Sequence, residues 1–172
     1  NYWIVMEYIV GNNLTTTVQN KQQALAIEEI FSQLCNALHY LHRVKNPPII
    51  HRDIKPDNIM ITQHSKTGNL VVKLVDFGIA KRPAWTYDAM TQGLGTPGYR
   101  APEVENPEKD ENGEEKPYGV AADCYALGGT LYFMLAKLNP GGNPDTFLRG
   151  LDTIVSLNGR ELIEKLMRKD SY

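Results

Sequence analysis

The stretch that most limits what this chain can fold into is IIHRDIKPDNIMI, residues 49–61. Ile49-Ile50 and Ile59-Met60-Ile61 read as two short buried strands. Between them stand His51, Arg52, Asp53, Lys55, Asp57 and Asn58, with Pro56 in their midst. Pro56 bars Lys55 from helical dihedrals, so 53–58 is an extended or turning loop. Ile54 is the apolar residue within it that can anchor it to a core. Asp53 and Lys55, two apart, project to the same side of an extended segment, and Asn58 opens the next strand. A carboxylate, an ammonium and an amide oxygen on a rigid mount suit chemistry that needs positioned charge.

The flanking pattern supplies the mount. Apolar residues recur at Ile27, Ile30, Phe31, Leu34, Cys35, Leu38 and Leu41, which predicts a long helix over 24–41. Pro47-Pro48 prevents its continuation. Residues 2–8 read as a strand broken by Gly11-Asn12-Asn13, and the SKTGN turn leads to a further strand over 70–75. Residues 76–103 show no period, and so long a segment without regular structure is usually functional or mobile. AADCYALGGTLYFMLAK reads as a buried helix, and DTFLRGLDTIVSL and RELIEKLMRK as amphipathic ones. Residues 103–115 carry seven acids, with only Lys109 and Lys116 as nearby bases, and read as a solvated loop.

Composition excludes several classes. With 172 residues, 42% hydrophobic and 22% charged, the chain can build one ordinary globular core. A net charge of −2 gives it no electrostatic reason to bind nucleic acid or an anionic membrane. Its two cysteines, Cys35 and Cys124, fall in helical patterns, so a disulfide framework is not expected and a reducing compartment is the default. The longest uncharged apolar run, 124–136, is too short to span a bilayer. The expected location is cytoplasmic, with flanking segments able to tether a longer protein to a membrane.

Two further motifs matter. DFG, Asp76-Phe77-Gly78, leaves the strand at 70–75, where a carboxylate can meet a hard cation. GTPGYRAPE, 95–103, is by itself a Gly/Pro loop. Taken in order, HRDIKPDN, DFG and GTPGYRAPE resemble the catalytic loop, metal-binding motif and activation-segment end of the protein kinase family. IVMEYIVGNNL is similar to the family's last small-lobe strand and hinge. AADCYALGGTLYFML is similar to its central large-lobe helix.

The resemblance implies an α+β, protein-kinase-like fold: a mostly helical C-terminal lobe whose short β-hairpins carry the catalytic and metal loops. Residues 1–10 would be the last small-lobe strand and hinge. Residues 11–172 would be a partial large lobe, with an activation segment about 76–103 and an acidic insertion about 104–117. The implied activity is Mg²⁺-dependent transfer of the ATP γ-phosphoryl group to protein Ser or Thr hydroxyls. Asp53 would accept or orient the substrate hydroxyl, and Lys55 would steady the phosphoryl group. Asn58 and Asp76 would hold Mg²⁺. Lys55 and Thr96 give the motifs a Ser/Thr character. Met6, Glu7 and Ile9 would face adenine and Asn13 the ribose. Arg52 could order the segment by pairing with a phosphate on Thr86 or Thr91. Asp123 would hydrogen-bond the catalytic-loop backbone, and Tyr125 stands where many relatives carry Trp. VKLVDFGIAK and the 123–135 helix resemble bacterial eukaryotic-like Ser/Thr kinases in flavour.

Departures from the family pattern are absences. The glycine loop, strand lysine and partner glutamate would precede Asn1, and the arginine partner of Glu103 would follow Tyr172. Both ends are therefore expected to be cut from a longer chain, and the piece alone is expected to be inactive. The alternative from another class is a pseudokinase or scaffold that binds protein partners without phosphoryl transfer. His51 reads as a buttress of the loop. His39 and His42, with no acidic or cysteine partner nearby in sequence, read as ordinary helix residues.

Overall fold

In the computed structural model, which describes residues 3, 5–20, 26–77, 96–113, 119–141 and 156–167, a helix apolar on all sides forms the axis of the core. This is the helix over Ala121–Ala136, numbered α4 after three that precede it. Leu127, Leu131, Phe133 and Met134 are among its buried residues. Its two central glycines serve approach rather than flexibility. A Cβ on Gly128 would lie 2.6 Å from Met167 Cγ and 2.9 Å from Leu166 Cβ. A helical glycine costs about 1 kcal/mol relative to alanine. Burial of Ile163 and Met167, about 1.5–3 kcal/mol each, outweighs that cost. Both residues belong to α5, Leu157–Met167.

The long periodic helix is α2, Ile27–His39, which passes into a π-helical turn at Tyr40–Val44. Ile30, Leu34, Leu38 and Leu41 of the predicted stripe are buried, and Ile27, Phe31 and Cys35 pack against the same core. A short helix, α1 (Leu14–Gln19), precedes it. Asn13 caps α1, its side-chain oxygen accepting the Thr16 N–H at 2.9 Å.

The loop of interest opens into an antiparallel hairpin. Strand β2 (Ile59–Gln63) pairs with β3 (Leu70–Leu74), Ile59 opposite Leu74 and Gln63 opposite Leu70. A two-residue strand β1, Asn12–Asn13, joins on the other side of β2 against Ile61 and Met60. The side chain of Gln33 closes the edge of β3: its amide nitrogen donates to Leu70 O at 3.0 Å and its oxygen accepts from Val72 N at 2.9 Å. An unpaired strand edge is thereby satisfied by the helix that covers it.

Two expectations differ. Trp3 and residues 5–10 form no strand, and Trp3 and Val5 are 90% and 96% exposed. A strand requires a ladder partner, and no described residue offers one there. Near 49–50 only Ile50 makes an isolated bridge. The amphipathic helix expected over 145–157 lies outside the described residues, apart from positions 156 and 157. The acidic stretch begins with a one-turn helix, α3 (Pro102–Glu105), and is mostly exposed over 106–113, as expected of a solvated loop. No described helix is long and apolar enough to cross a membrane.

Candidate active site

Loop 51–58 is held from below by a single buried carboxylate. Asp123, in the first turn of α4 and fully buried, accepts the His51 N–H through Oδ2 and the Arg52 N–H through Oδ1, each at 2.8 Å. Its Oδ2 also lies 2.8 Å from His42 Nε2, so the imidazole proton must sit on that nitrogen. This corrects the sequence reading of His42. Its acidic partner exists, but 81 positions away, where no local pattern shows it. Arg52 has φ of 74°, a left-handed conformation that non-glycine residues rarely adopt. The bond from its amide to Asp123 helps to hold that backbone in place.

His51 supports the loop from the other side. Its Nε2 donates to Val75 O at 3.0 Å, its Nδ1 accepts from Asp53 N at 3.3 Å, and its ring meets Phe77 edge-on at 4.7 Å. Burial lowers the pKa of this imidazole. Asp123, the Val75 carbonyl, Asp53 and Asp76 oppose that effect without overcoming it. The neutral Nε2–H tautomer satisfies both bonds at once.

Above this base, four of the predicted residues converge. Lys55 Nζ lies 2.8 Å from Asp53 Oδ2 and donates to Thr96 Oγ1 at 2.8 Å. Thr96 Oγ1 donates to Asp53 Oδ1 at 3.2 Å. Asn58 Nδ2 donates to Asp53 Oδ2 at 2.9 Å and to Asp53 O at 2.8 Å. Each oxygen of the Asp53 carboxylate is therefore oriented. Asn58 uses its amide nitrogen in doing so, which leaves its amide oxygen as the atom for a cation. Pro56–Asn58 is one turn of 3-10 helix, with Pro56 at its first position.

Asp76 stands at the open end of the hairpin, with φ of 63°. Val75 N donates to Asn58 O at 2.9 Å, so the ladder brings Asn58 and Asp76 to the same end of the sheet. An amide oxygen and an exposed carboxylate are the hard donors that Mg²⁺ takes, and that ion keeps several waters and substrate phosphates among its ligands. The donor set fits. Among the described residues no group of three His, Cys, Asp or Glu converges on one point. The fit thus rests on this sparse pair.

Met6, Glu7 and Ile9 border the same cavity as Asp76. All four line a largely apolar cavity of about 1100 Å³, together with Tyr40, Leu41, Val75 and Phe77. Within it Glu7 pairs with Lys73. Asn13 does not line this cavity, and its side-chain oxygen is engaged in capping α1. Gly78, Thr86 and Thr91 lie outside the described residues. Tyr125 is buried, and desolvation, followed by the charges of Glu105 and Glu103, pushes its phenol up to about 12. Two contacts beyond the motifs were missed by sequence reasoning: Thr15 donates to Asp57 at 3.0 Å, and Tyr99 to Asn139 at 2.9 Å.

A family model described as "Protein kinase domain" matches residues 1–171. The chain belongs to the protein kinase family. It is 36% identical over 141 residues to mouse (Mus musculus) MAP kinase-activated protein kinase 2, a match covering 80% of this chain and 33% of that protein. It is 32% identical over 166 residues to the mouse Serine/threonine-protein kinase DCLK3, covering 94% of this chain and 19% of that protein. It is also 32% identical to the cAMP-dependent protein kinase type 3 of Saccharomyces cerevisiae, covering 98% of this chain and 40% of that protein. The chain thus spans less than half the length of these relatives. Its mixed helices and small antiparallel sheet agree with a partial kinase fold.

Proposed function

We propose that the protein carrying this chain is a Ser/Thr protein kinase that transfers the γ-phosphoryl group of ATP to protein hydroxyls. The observation that carries the reading is the convergence of Asp53, Lys55, Asn58 and Thr96 through bonds of 2.8–3.2 Å. Phosphoryl transfer asks a protein chiefly for alignment and charge neutralisation, and this quartet offers both without rearrangement.

In this mechanism Asp53 receives the substrate hydroxyl and orients or accepts its proton. Lys55 steadies the transferring group, and Thr96 keeps the lysine and the carboxylate in register. Asn58 and Asp76 would hold Mg²⁺, which supplies charge neutralisation on the phosphates when bound. Met6, Glu7 and Ile9 would border the adenine. Residues 1–10 would be the last small-lobe strand and hinge and 11–172 a partial large lobe, so transfer would need the rest of the protein. The name of one relative, the Serine/threonine-protein kinase DCLK3, supports Ser/Thr selectivity.

The test is to incubate the full-length protein with γ-phosphate-labelled ATP, Mg²⁺ and peptides that differ only in Ser, Thr or Tyr as acceptor. Label on the Ser and Thr peptides is the expected result. Label confined to Tyr, or none on any peptide, overturns the proposal.

A further inference from the structure

We propose that Asn139 is a positioning residue for phosphoryl transfer, anchoring Tyr99 and through it holding Thr96 between Lys55 and Asp53. The inference rests on the kinase reading for its effect on catalysis, but not for the anchoring itself.

The argument begins with the tetrapeptide Thr96-Pro97-Gly98-Tyr99. Tyr99 N donates to Thr96 O at 3.1 Å, and Gly98 has φ of 86°. Pro followed by a positive-φ Gly, with the ends bonded, is the pattern of a type II turn. Such a turn is stiff, so the seat of Tyr99 dictates where the Thr96 hydroxyl points.

That seat is built by α4 and the residues that follow it. The Tyr99 ring is buried, with Cδ1 only 3.2 Å from where a Cβ on Gly129 would be. A Cβ on Gly98 would stand 2.3 Å from Pro140 O, so the turn lies directly on the 139–140 backbone. Helix α4 ends at Lys137 in a left-handed conformation, φ 58°, which turns the chain to bring Asn139 beside the ring. A buried phenol requires a partner, and the Tyr99 hydroxyl donates to Asn139 Oδ1 at 2.9 Å. Burial, and secondarily the charge of Asp57, raises the Tyr99 pKa, which keeps the phenol protonated as the donor. Asn139 itself is exposed, so among the described residues its replacement acts chiefly on this bond. The relay is continuous: Asn139 to Tyr99, Tyr99 through the turn to Thr96, Thr96 to Lys55 and Asp53.

The experiment uses the full-length protein with Asn139→Leu, Asn139→Asp, Tyr99→Phe and the Tyr99→Phe/Asn139→Leu double variant. Amide exchange at Tyr99 reports the turn, and steady-state kinetics report transfer. Loss of one such bond is expected to lower kcat about 3- to 10-fold in Asn139→Leu, with KM for ATP unchanged. Tyr99→Phe should match it, the double variant should be no worse than either single one, and Asn139→Asp should restore most of the rate. Tyr99 amide exchange should speed up in Asn139→Leu. If Asn139→Leu does not fold, Tyr99→Phe reads the same bond from its other end. Wild-type kcat in both single variants, losses that multiply in the double variant, or a loss confined to KM for ATP each overturn the proposal. A wild-type protein that transfers no phosphate overturns the kinase reading. The exchange comparison still decides the anchor then, and unchanged Tyr99 exchange overturns it.

Discussion

Replacing Asp123 should separate loop 51–58 from its support. Its carboxylate is fully buried and takes three bonds of 2.8 Å, from His51 N, Arg52 N and His42 Nε2. A hydrogen bond to a charged group contributes about 1.5–3 kcal/mol, and buried donors left without a partner add their own desolvation cost. The three bonds share one acceptor and do not add fully. Removing one member of such a buried network typically costs about 3–5 kcal/mol. Against a total stability of about 5–15 kcal/mol, Asp123→Ala is expected to unfold a large fraction of the domain at physiological temperature. Asp123→Asn keeps one acceptor oxygen but turns N–H groups toward a backbone donor, and should cost about 2 kcal/mol. His42→Ala should cost about 1–2 kcal/mol while leaving both loop amides bonded to Asp123. The assay is urea unfolding followed by circular dichroism, with phosphotransfer normalised to the folded fraction. Normalised activity should fall in Asp123→Asn and stay near wild type in His42→Ala. Asp123→Ala within about 1 kcal/mol of wild type would refute the reasoning.

Two further effects follow from the same geometry. Gly98→Ala places a Cβ 2.3 Å from Pro140 O at φ of 86°, and should lose about 2 kcal/mol or more in a thermal melt. His51 has its pKa lowered from 6.5 by burial, so the unfolded chain binds its proton more readily than the folded one. Its contribution to stability is complete above pH 6.5 and is lost as pH falls through the folded value. Urea midpoints across that range should drop for wild type more steeply than for His51→Asn. Parallel curves would count against the assignment.

Legibility from the sequence depended on how local the deciding interaction is. Helix α2 and the π-helical turn after it declared themselves because Ile30, Leu34, Leu38 and Leu41 repeat at helical spacing and are all buried. The β2–β3 hairpin followed from two β-rich runs around SKTGN, and α4 from an apolar run with no polar face. Asp53, Lys55 and Asn58 were legible because Pro56 and Ile54 fix a short loop, and Thr96 because of the family resemblance. The strand expected over 2–8 is not formed at the described residues 3 and 5–8 for a physical reason: period and composition favour a strand, but only a neighbouring strand makes one. His42 with Asp123, Gln33 with β3 and Tyr99 with Asn139 join residues 37 to 81 positions apart. No spacing rule reaches that far, because the match is made where separate elements pack in space. The glycines of α4 are contact points, a role that appears only when α5 and Tyr99 are in place.

The central claim is that Asp53 and its three partners perform phosphoryl transfer. It is tested most directly by comparing the full-length protein with Asp53→Asn, a change that keeps the shape and removes the charge. With labelled ATP, Mg²⁺ and a Ser/Thr peptide, the variant should fold like wild type and lose about 10²-fold or more of the transfer rate. Equal labelling by the two proteins would contradict the account.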